Sequence, residues 1–470
     1  MARQDMNEIV SSPKPRIHHQ LALLVHSVRF ADLPPQVVRY AKLLVLDAVG
    51  CMIGGLASAP AVAVRRVVDG MGGKPEATIA GTAARSCAAL AVLANGTALR
   101  YLDFNDAYHQ RDTAHPSGNL PVALAIGEVE NRSGQDLIAA LVAAYEVHLR
   151  LCDCAGAPNL KSRGWHHTTN LQFAAAALAA RMMTDDPTVA AHAMAIVATH
   201  TNSLAQLQHG VIPDIKATAD AWVAKSAVEA AFLARAGLTG PDEIFEGRAG
   251  WTLVVAGEVD YDRLLAPLNG AFRILQTRFK PYPVVGPAAA PVQAAIDLFR
   301  SGRIVPSAIH SIVVQLPESV VQDPAVANKQ FPSNRETADH SYHYCVVMGL
   351  LEGDCSNEQF TEQKLHAPYV RALLGKTSLM ADPEFTASRP RGSGGGVRVN
   401  MRDGSVLEQR HPIPPGHPSN PLEEKQIIAK FDRLSAPVFS QDRRAAIRSA
   451  IFDLENCARV SEFMQLLAAD

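Results

Sequence analysis

The sequence predicts a mainly α protein: a large, discontinuous all-helical domain with a smaller α+β domain inserted into it. Three observations carry this. Apolar residues recur at helical spacing almost throughout from residue 17 to about 265, strand alternation replaces that pattern beyond about 270, and helical periodicity returns after residue 420. A chain of 470 residues is too long for one simple core, and its 48% hydrophobic content is ample for two. The bounds that follow are a flexible N-terminal tail over 1–16, a first helical part over 17–268, the α+β insertion over 269–408 and a second helical part over 409–470.

The tail, "MARQDMNEIVSSPKPR", is polar and has no apolar stretch leading to a small-residue cleavage site. In "DLPPQVVRYAKLLVLDAVGCMIGG", Asp32 is placed to cap and the prolines suit a first turn. Val37, Val38, Ala41, Leu44, Val45, Ala48 and Val49 then form one stripe, which ends at Gly54-Gly55. "GQDLIAALVAAYEVHLRL", "LQFAAAALAARMM" and "TADAWVAKSAVEAAFLARAG" are further helices whose small residues let neighbours approach closely. "AIHSIVVQLP" alternates over Ile309, Ser311, Val313 and Gln315 like a strand. "GGVRVNMRDGSVLEQR" reads as a hairpin turning at Asp403-Gly404, with Val397, Val399 and Met401 on one face. The glycine-rich "RPRGSGGG" (389–396) leads into a strand rather than a helix, so it reads as a flexible surface loop and not a phosphate cradle. "PLEEKQIIAKFDRL" and "RRAAIRSAIFDLENCARVSEFMQLL" close the helical domain.

Charge narrows the function. With 44 basic against 46 acidic residues the formal charge is −2, which leaves no excess field to draw a nucleic acid. No run of about eighteen apolar residues occurs, so no membrane partner is expected. The seven cysteines are scattered in mostly apolar surroundings and read as reduced thiols of a cytoplasmic protein. The one close pair, Cys152-Asp153-Cys154, lacks C-x-x-C spacing, and no metal motif is expected.

Ionisable residues gather where apolar helices begin or break. "YLDFNDAYHQRDTAHPSGN" holds Asp103, Asp106, His109, Arg111, His115 and Ser117, as either a polar connector or a catalytic loop on a rigid helical body would. "LKSRGWHHTTN" adds Lys161, Arg163, His166 and His167, with Thr168 or Thr169 able to cap the next helix. "QHGVIPDIKATADAW" puts Lys216 near the start of an alanine-rich helix. "TRFKPYPVVGP" presents Lys280 and Tyr282 on a segment stiffened by Pro281 and Pro283. "NRETADHSYHYCVVMGLLEG" sets Asp339, His340, His343 and Tyr344 at the head of an apolar helix. There is no G-x-S-x-G nucleophile elbow. Cations converging on one cleft suit a substrate with several carboxylates, and a histidine or tyrosine among them can move protons at carbon beside a carboxylate.

In order and spacing, "DFNDAYHQRDTAHPSGN", "GWHHTTN", "DIKATADAWVAKSA", "FKPYP", "ADHSYHYCVVMGLLEG" and "VRVNMRDGSVLEQRHPIPPGHPSNPLEEKQIIAKF" resemble the MmgE/PrpD family, over about residues 20 to 460. That family includes 2-methylcitrate dehydratase, cis-aconitate decarboxylase and iminodisuccinate epimerase. The resemblance implies a helical domain assembled from both ends of the chain, an α+β lid between them, and a homodimer. It also implies an active site between the domains that uses no metal or organic cofactor. By motif it makes Asp103, His115, His166 and Tyr344 catalytic, and Lys216, Lys280, Ser117 and His340 substrate-binding. Ala107 stands where relatives acting on citrate-like acids often have a threonine, which removes a hydroxyl.

The leading expectation is therefore a cofactor-independent dehydratase of a small di- or tricarboxylate such as 2-methylcitrate, working by general acid–base proton transfer. A decarboxylase or epimerase of a related acid is the alternative on the same site. A non-catalytic helical scaffold or small-acid sensor is the alternative from another class. His115 is expected to shuttle the proton with Asp103 positioning it, and Lys216, Lys280 and His166 to hold the acid.

Overall fold

The computed structural model describes residues 16–388 and 394–468. Most of the expected tail and residues 389–393 of the glycine-rich loop lie outside these described residues. The first part of the helical body comprises α1 (Ile17–Ser27), α2 (Pro35–Gly55), α3 (Ala59–Met71), α4 (Ala88–Tyr101), α5 (Leu120–Val129), α6 (Gly134–Asp153), α7 (Thr168–Met183), α8 (Pro187–Ala198) and α9 (Ala219–Arg235). Pro35 occupies the first turn of α2, where its missing N–H costs nothing. Asp32 does not cap that helix: the cap position is Pro34, and Asp32 closes a preceding 3-10 turn where it pairs with Arg29 instead. Among the described residues no single helix is long and apolar enough to cross a membrane.

Alanine decides the packing at the centre. Ala174 to Ala177 of α7 are fully buried, and with so little side chain between them α6, α8 and α9 close directly on that helix. Each fully buried Leu or Phe of this core contributes roughly 1.5–3 kcal/mol. The core also draws on the far end of the chain, through Ile427, Phe431, Ile447, Ile451, Phe463 and Leu467. The helix Glu424–Ser435 packs on α2, and Val460–Leu467 packs on α5.

A second core runs from Val284 to Leu407. Its four-stranded sheet has the order Thr377–Ala381, Ile309–Leu316, Gly395–Met401, Val406–His411, the first pair parallel and the others antiparallel. The helices Ala289–Arg300 and Tyr342–Glu352 pack together beside it. The hairpin turns at Gly404, whose φ of 85° lies where glycine alone is unstrained. In Ile309–Leu316 the buried face is Ile312, Val314 and Leu316, not the face carrying Ser311 and Val313. A register shift between Ile309 and Ser311 brings Ile309 inside as well, so an uninterrupted alternation counted from Ile309 lands on the wrong face.

Candidate active site

The chain leaves α4 and reverses at once. Asp103 has φ of 51°, a left-handed conformation that a short polar side chain tolerates. The strands Tyr108–His109 and Thr113–Ala114 then pair antiparallel and bring His115 back beside the segment it came from. His115 Nδ1 lies 2.7 Å from the carbonyl oxygen of Asp106. That acceptor places the hydrogen on Nδ1 and leaves Nε2 with the lone pair. The expectation that Asp103 would orient this imidazole is thus corrected: the contact comes from the Asp106 backbone. The Asp106 carboxylate in turn accepts from the Ser117 N–H at 3.0 Å and the Tyr145 hydroxyl at 2.7 Å.

Below the loop, buried charges alternate in sign. Asp103 meets Arg100, Lys280 at 3.0 Å and Lys216 at 3.8 Å; Lys216 also reaches Asp339 at 3.4 Å. Asp339 pairs with Arg335 at 3.3 Å and with His340 Nδ1, and Arg100 with Asp220 at 2.9 Å. Four fixed cations thus face three carboxylates. Burial works to raise Asp103, but Arg100, Lys216, Lys280 and His340 hold its carboxyl well below the usual range. Burial wins at Lys280, pushing it down to about 8 against the pull of Asp103. Lys280 Nζ donates to the Asp103 carbonyl at 2.9 Å and the Val284 carbonyl at 3.1 Å as well as to the Asp103 carboxylate. One ammonium therefore ties the body to the start of the second core.

Of these groups Arg100, Asp103, Lys280 and His340 line a cleft of about 1010 Å³, together with Asp112, His115, His166 and His167 and, from the second core, Val285, Lys329 and Tyr342. At its mouth Lys161 pairs with Asp323 across the two cores. Three imidazoles adjoin: His115 and His167 have ring centroids 5.1 Å apart, His166 and His167 4.1 Å. Burial, reinforced by Arg100 and Lys216, pushes His166 down to about 3. Burial with Arg100 and Lys280 likewise pushes His115 well below its ordinary value, so both rings are neutral. His166 Nδ1 faces the Thr168 hydroxyl at 2.9 Å, while its Nε2 is buried without a partner among the described residues. Such a nitrogen is costly to leave unsatisfied and suits a polar ligand. One carboxylate oxygen of Asp112 is buried without a hydrogen-bond partner among the described residues, and burial pushes this group up to about 6 against the pull of the Thr113 and Leu160 backbone hydrogen bonds. Donor atoms of Asp103, Asp339 and His340 lie within 4.8 Å of one another, a spacing a cation could bridge. Both carboxylates already face two or more protein cations, so the charge there favours an anionic ligand.

The structure brings Asp103, His115, His166, Lys280 and His340 to the cleft wall. Lys216 stands behind Asp103 and Asp339 instead. Ser117 is buried off the cleft, accepting from Asn105 at 2.9 Å. Tyr344 is a further correction. Its hydroxyl donates to the Gln359 carbonyl inside the second core, and Tyr342 faces the cleft in its place. Two residues along a helix turn a side chain through about 200°, so of this pair only one could face inward. Arg100, Lys329 and Lys430 were not singled out from sequence. A signal existed for Arg100, the one charged side chain in the otherwise uncharged run Ala88–Tyr101. None existed for Lys430, which sits in an ordinary amphipathic helix. Its Nζ donates to the Phe104 carbonyl at 2.6 Å and the Lys280 carbonyl at 3.2 Å, and it pairs with Asp47 at 2.7 Å. Ala107 exchanges backbone hydrogen bonds with Arg278.

Comparison with known proteins places the whole chain among proteins of one family. Residues 19–264 match the MmgE/PrpD N-terminal domain and residues 282–456 the MmgE/PrpD C-terminal domain. The second match includes helices that pack on the first core, because the match follows chain order and the core follows space. Cis-aconitate decarboxylase of Homo sapiens is 26% identical over 480 residues, 96% of this chain and 94% of its own length. Cis-aconitate decarboxylase-like protein oryM of Aspergillus oryzae is 24% identical over 481 residues, 98% of this chain and 99% of its own. The 2-methylcitrate dehydratase of Cupriavidus necator is 24% identical over 460 residues, 91% of this chain and 92% of its own. With both domains matched in order, the chain belongs to the MmgE/PrpD family and is a lyase of the MmgE/PrpD type.

Proposed function

We propose that the cleft binds a small di- or tricarboxylate and moves a proton at carbon next to one of its carboxylates, without an organic cofactor. The observation that carries this reading is the cluster of neutral imidazoles, His115, His166 and His167, in one cleft with Arg100 and Lys280, with Lys216 buried behind them. A neutral imidazole accepts a proton; a polyanion beside it stabilises the imidazolium that results. In the dehydration reading, His115 Nε2 takes the proton from carbon, the carbon–hydrogen electron pair becomes the new double bond, and the hydroxyl on the neighbouring carbon leaves with its bonding pair and takes that same proton from the His115 imidazolium, departing as water and returning the ring to its neutral form. Asp103 holds Arg100 and Lys280 in place for the substrate carboxylates. Lys216 maintains positive charge behind them, and His166 and His340 contribute hydrogen bonds. Ser117 acts on the loop through Asp106.

A 2-methylcitrate-type acid is the leading substrate. Decarboxylation of a cis-aconitate-type acid is the second reading, favoured by the names of the full-length relatives in Aspergillus oryzae and Homo sapiens. Proton NMR of each acid incubated with the enzyme in heavy water separates the two: an unsaturated product with every carboxylate retained supports dehydration, and loss of carbon dioxide supports decarboxylation. Tight citrate binding with neither product nor proton exchange would replace both by a sensor. The enzyme is further proposed to work in the cytoplasm, in keeping with seven cysteines that are all free. It is also proposed to act as a homodimer, in keeping with exposed Val211, Ile215 and Trp222.

A further inference from the structure

A second cluster of ligating side chains lies away from the cleft, at the first turn of α1. The rings of His18 and His19 have centroids 4.5 Å apart, and His192 of α8 approaches His19 edge-on at 6.1 Å. Ligand atoms of His18, His19 and Asp242 all lie within 4.8 Å of one another. His18 is fully buried, and neither of its ring nitrogens has a hydrogen-bond partner among the described residues; Nδ1 of His192 is likewise buried and without one. Buried polar groups are almost always satisfied, and an imidazole with both nitrogens idle departs from that rule.

We propose that His18, His19 and Asp242 bind a divalent transition-metal ion of the zinc, cobalt or nickel class, with His192 beside them. Imidazole nitrogens with a single carboxylate suit these borderline ions, whereas magnesium and calcium take oxygen ligands. The surrounding charge is favourable, because Glu243 and Glu246 flank Asp242 in sequence. Arg16, which now holds Asp242 at 3.1 Å, also reaches Glu243 at 2.7 Å and can keep that partner alone. These pairs are exposed and inexpensive to rearrange. The bound ion would clip the start of α1 to the 242–246 segment, which the Ile17 N–H already joins through Glu246 at 2.7 Å.

The test is titration of the tag-free, chelator-treated full chain with cobalt(II), read by visible absorption and by the thermal midpoint. The expected result is one strong site and a raised midpoint. His19→Gln and Asp242→Asn, which alter partly exposed side chains, should melt like the parent without metal. Each should bind cobalt about tenfold or more weakly, at least the loss that removing even an outer partner of a metal site causes. His340→Gln, at the other cluster with suitable spacing, should bind like the parent. Equal binding by the parent, His19→Gln and Asp242→Asn, loss of binding in His340→Gln instead, or no binding by the parent would each overturn the proposal.

Discussion

Replacing His115 by glutamine keeps a donor for the Asp106 carbonyl and removes the nitrogen that can carry a proton. The expected outcome is a folded protein that binds citrate as the parent does, with turnover lower by about 100-fold or more. Steady-state kinetics beside calorimetry would show it, and a variant that keeps most of its activity passes the proton to His166. His148 of α6 gives a cleaner view of burial alone: neither ring nitrogen has a partner among the described residues, and burial pushes it down to about 3. The unfolded chain binds this proton below about pH 6.5 and the folded one does not until about pH 3, so the parent loses stability as pH falls through that window. His148→Leu removes the penalty. Its stability relative to the parent should rise by about 2 kcal/mol between pH 7 and pH 5 in urea melts; parallel pH profiles would refute this. What could be read from sequence at this scale was the set of segments carrying unusual polar residues. Which side chain of each segment faces the cleft was not legible: His115 and Tyr344 both stood in distinctive motifs, but helix rotation turned Tyr344 inward and left Tyr342 at the wall.

At the scale of elements, the long helices were legible because alanine and leucine repeat over many turns, and the hairpin was legible from Asp403-Gly404. The buried face of Ile309–Leu316 was not, because one bulge changes which residues point inward without changing composition. Packing between distant elements was equally hidden, and Gly134 at the start of α6 illustrates it. A Cβ there would stand 1.7 Å from the Leu454 carbonyl oxygen, and the Gly134 N–H donates to the Cys457 carbonyl at 2.8 Å. Gly134→Ala therefore has to push the Leu454–Asn456 turn off the body. It should cost about 1–3 kcal/mol, as overpacking does, and lower the melting temperature measured by calorimetry. An unchanged melting temperature would mean that this junction is loose.

Across the whole molecule, the two cores meet at the cleft, and the links between them differ in strength. Lys280 makes three buried contacts, whereas Lys161 and Asp323 are a partly exposed pair worth little more than about 1 kcal/mol. The second core should therefore close over bound acid, with residues 265–280 and 400–420 absorbing the motion. Citrate should slow hydrogen–deuterium exchange in those two segments and around Asp323; identical exchange with and without citrate would rule the closure out. That the helical body closes on helices from beyond the insertion has a further consequence, for the order of synthesis. Lys430 fastens the carbonyls of Lys280 and Phe104, yet it leaves the ribosome 150 residues after the first and 326 after the second. At about 5–20 residues per second that gap lasts on the order of ten seconds or more, with the α2 surface that will receive the Glu424–Ser435 helix open to solvent. A chain that stops after Tyr342 and before Glu424 thus carries every ionisable group of the cleft wall without the helices that fasten them. Such a chain should be inactive and should depend on chaperones until its last helices dock.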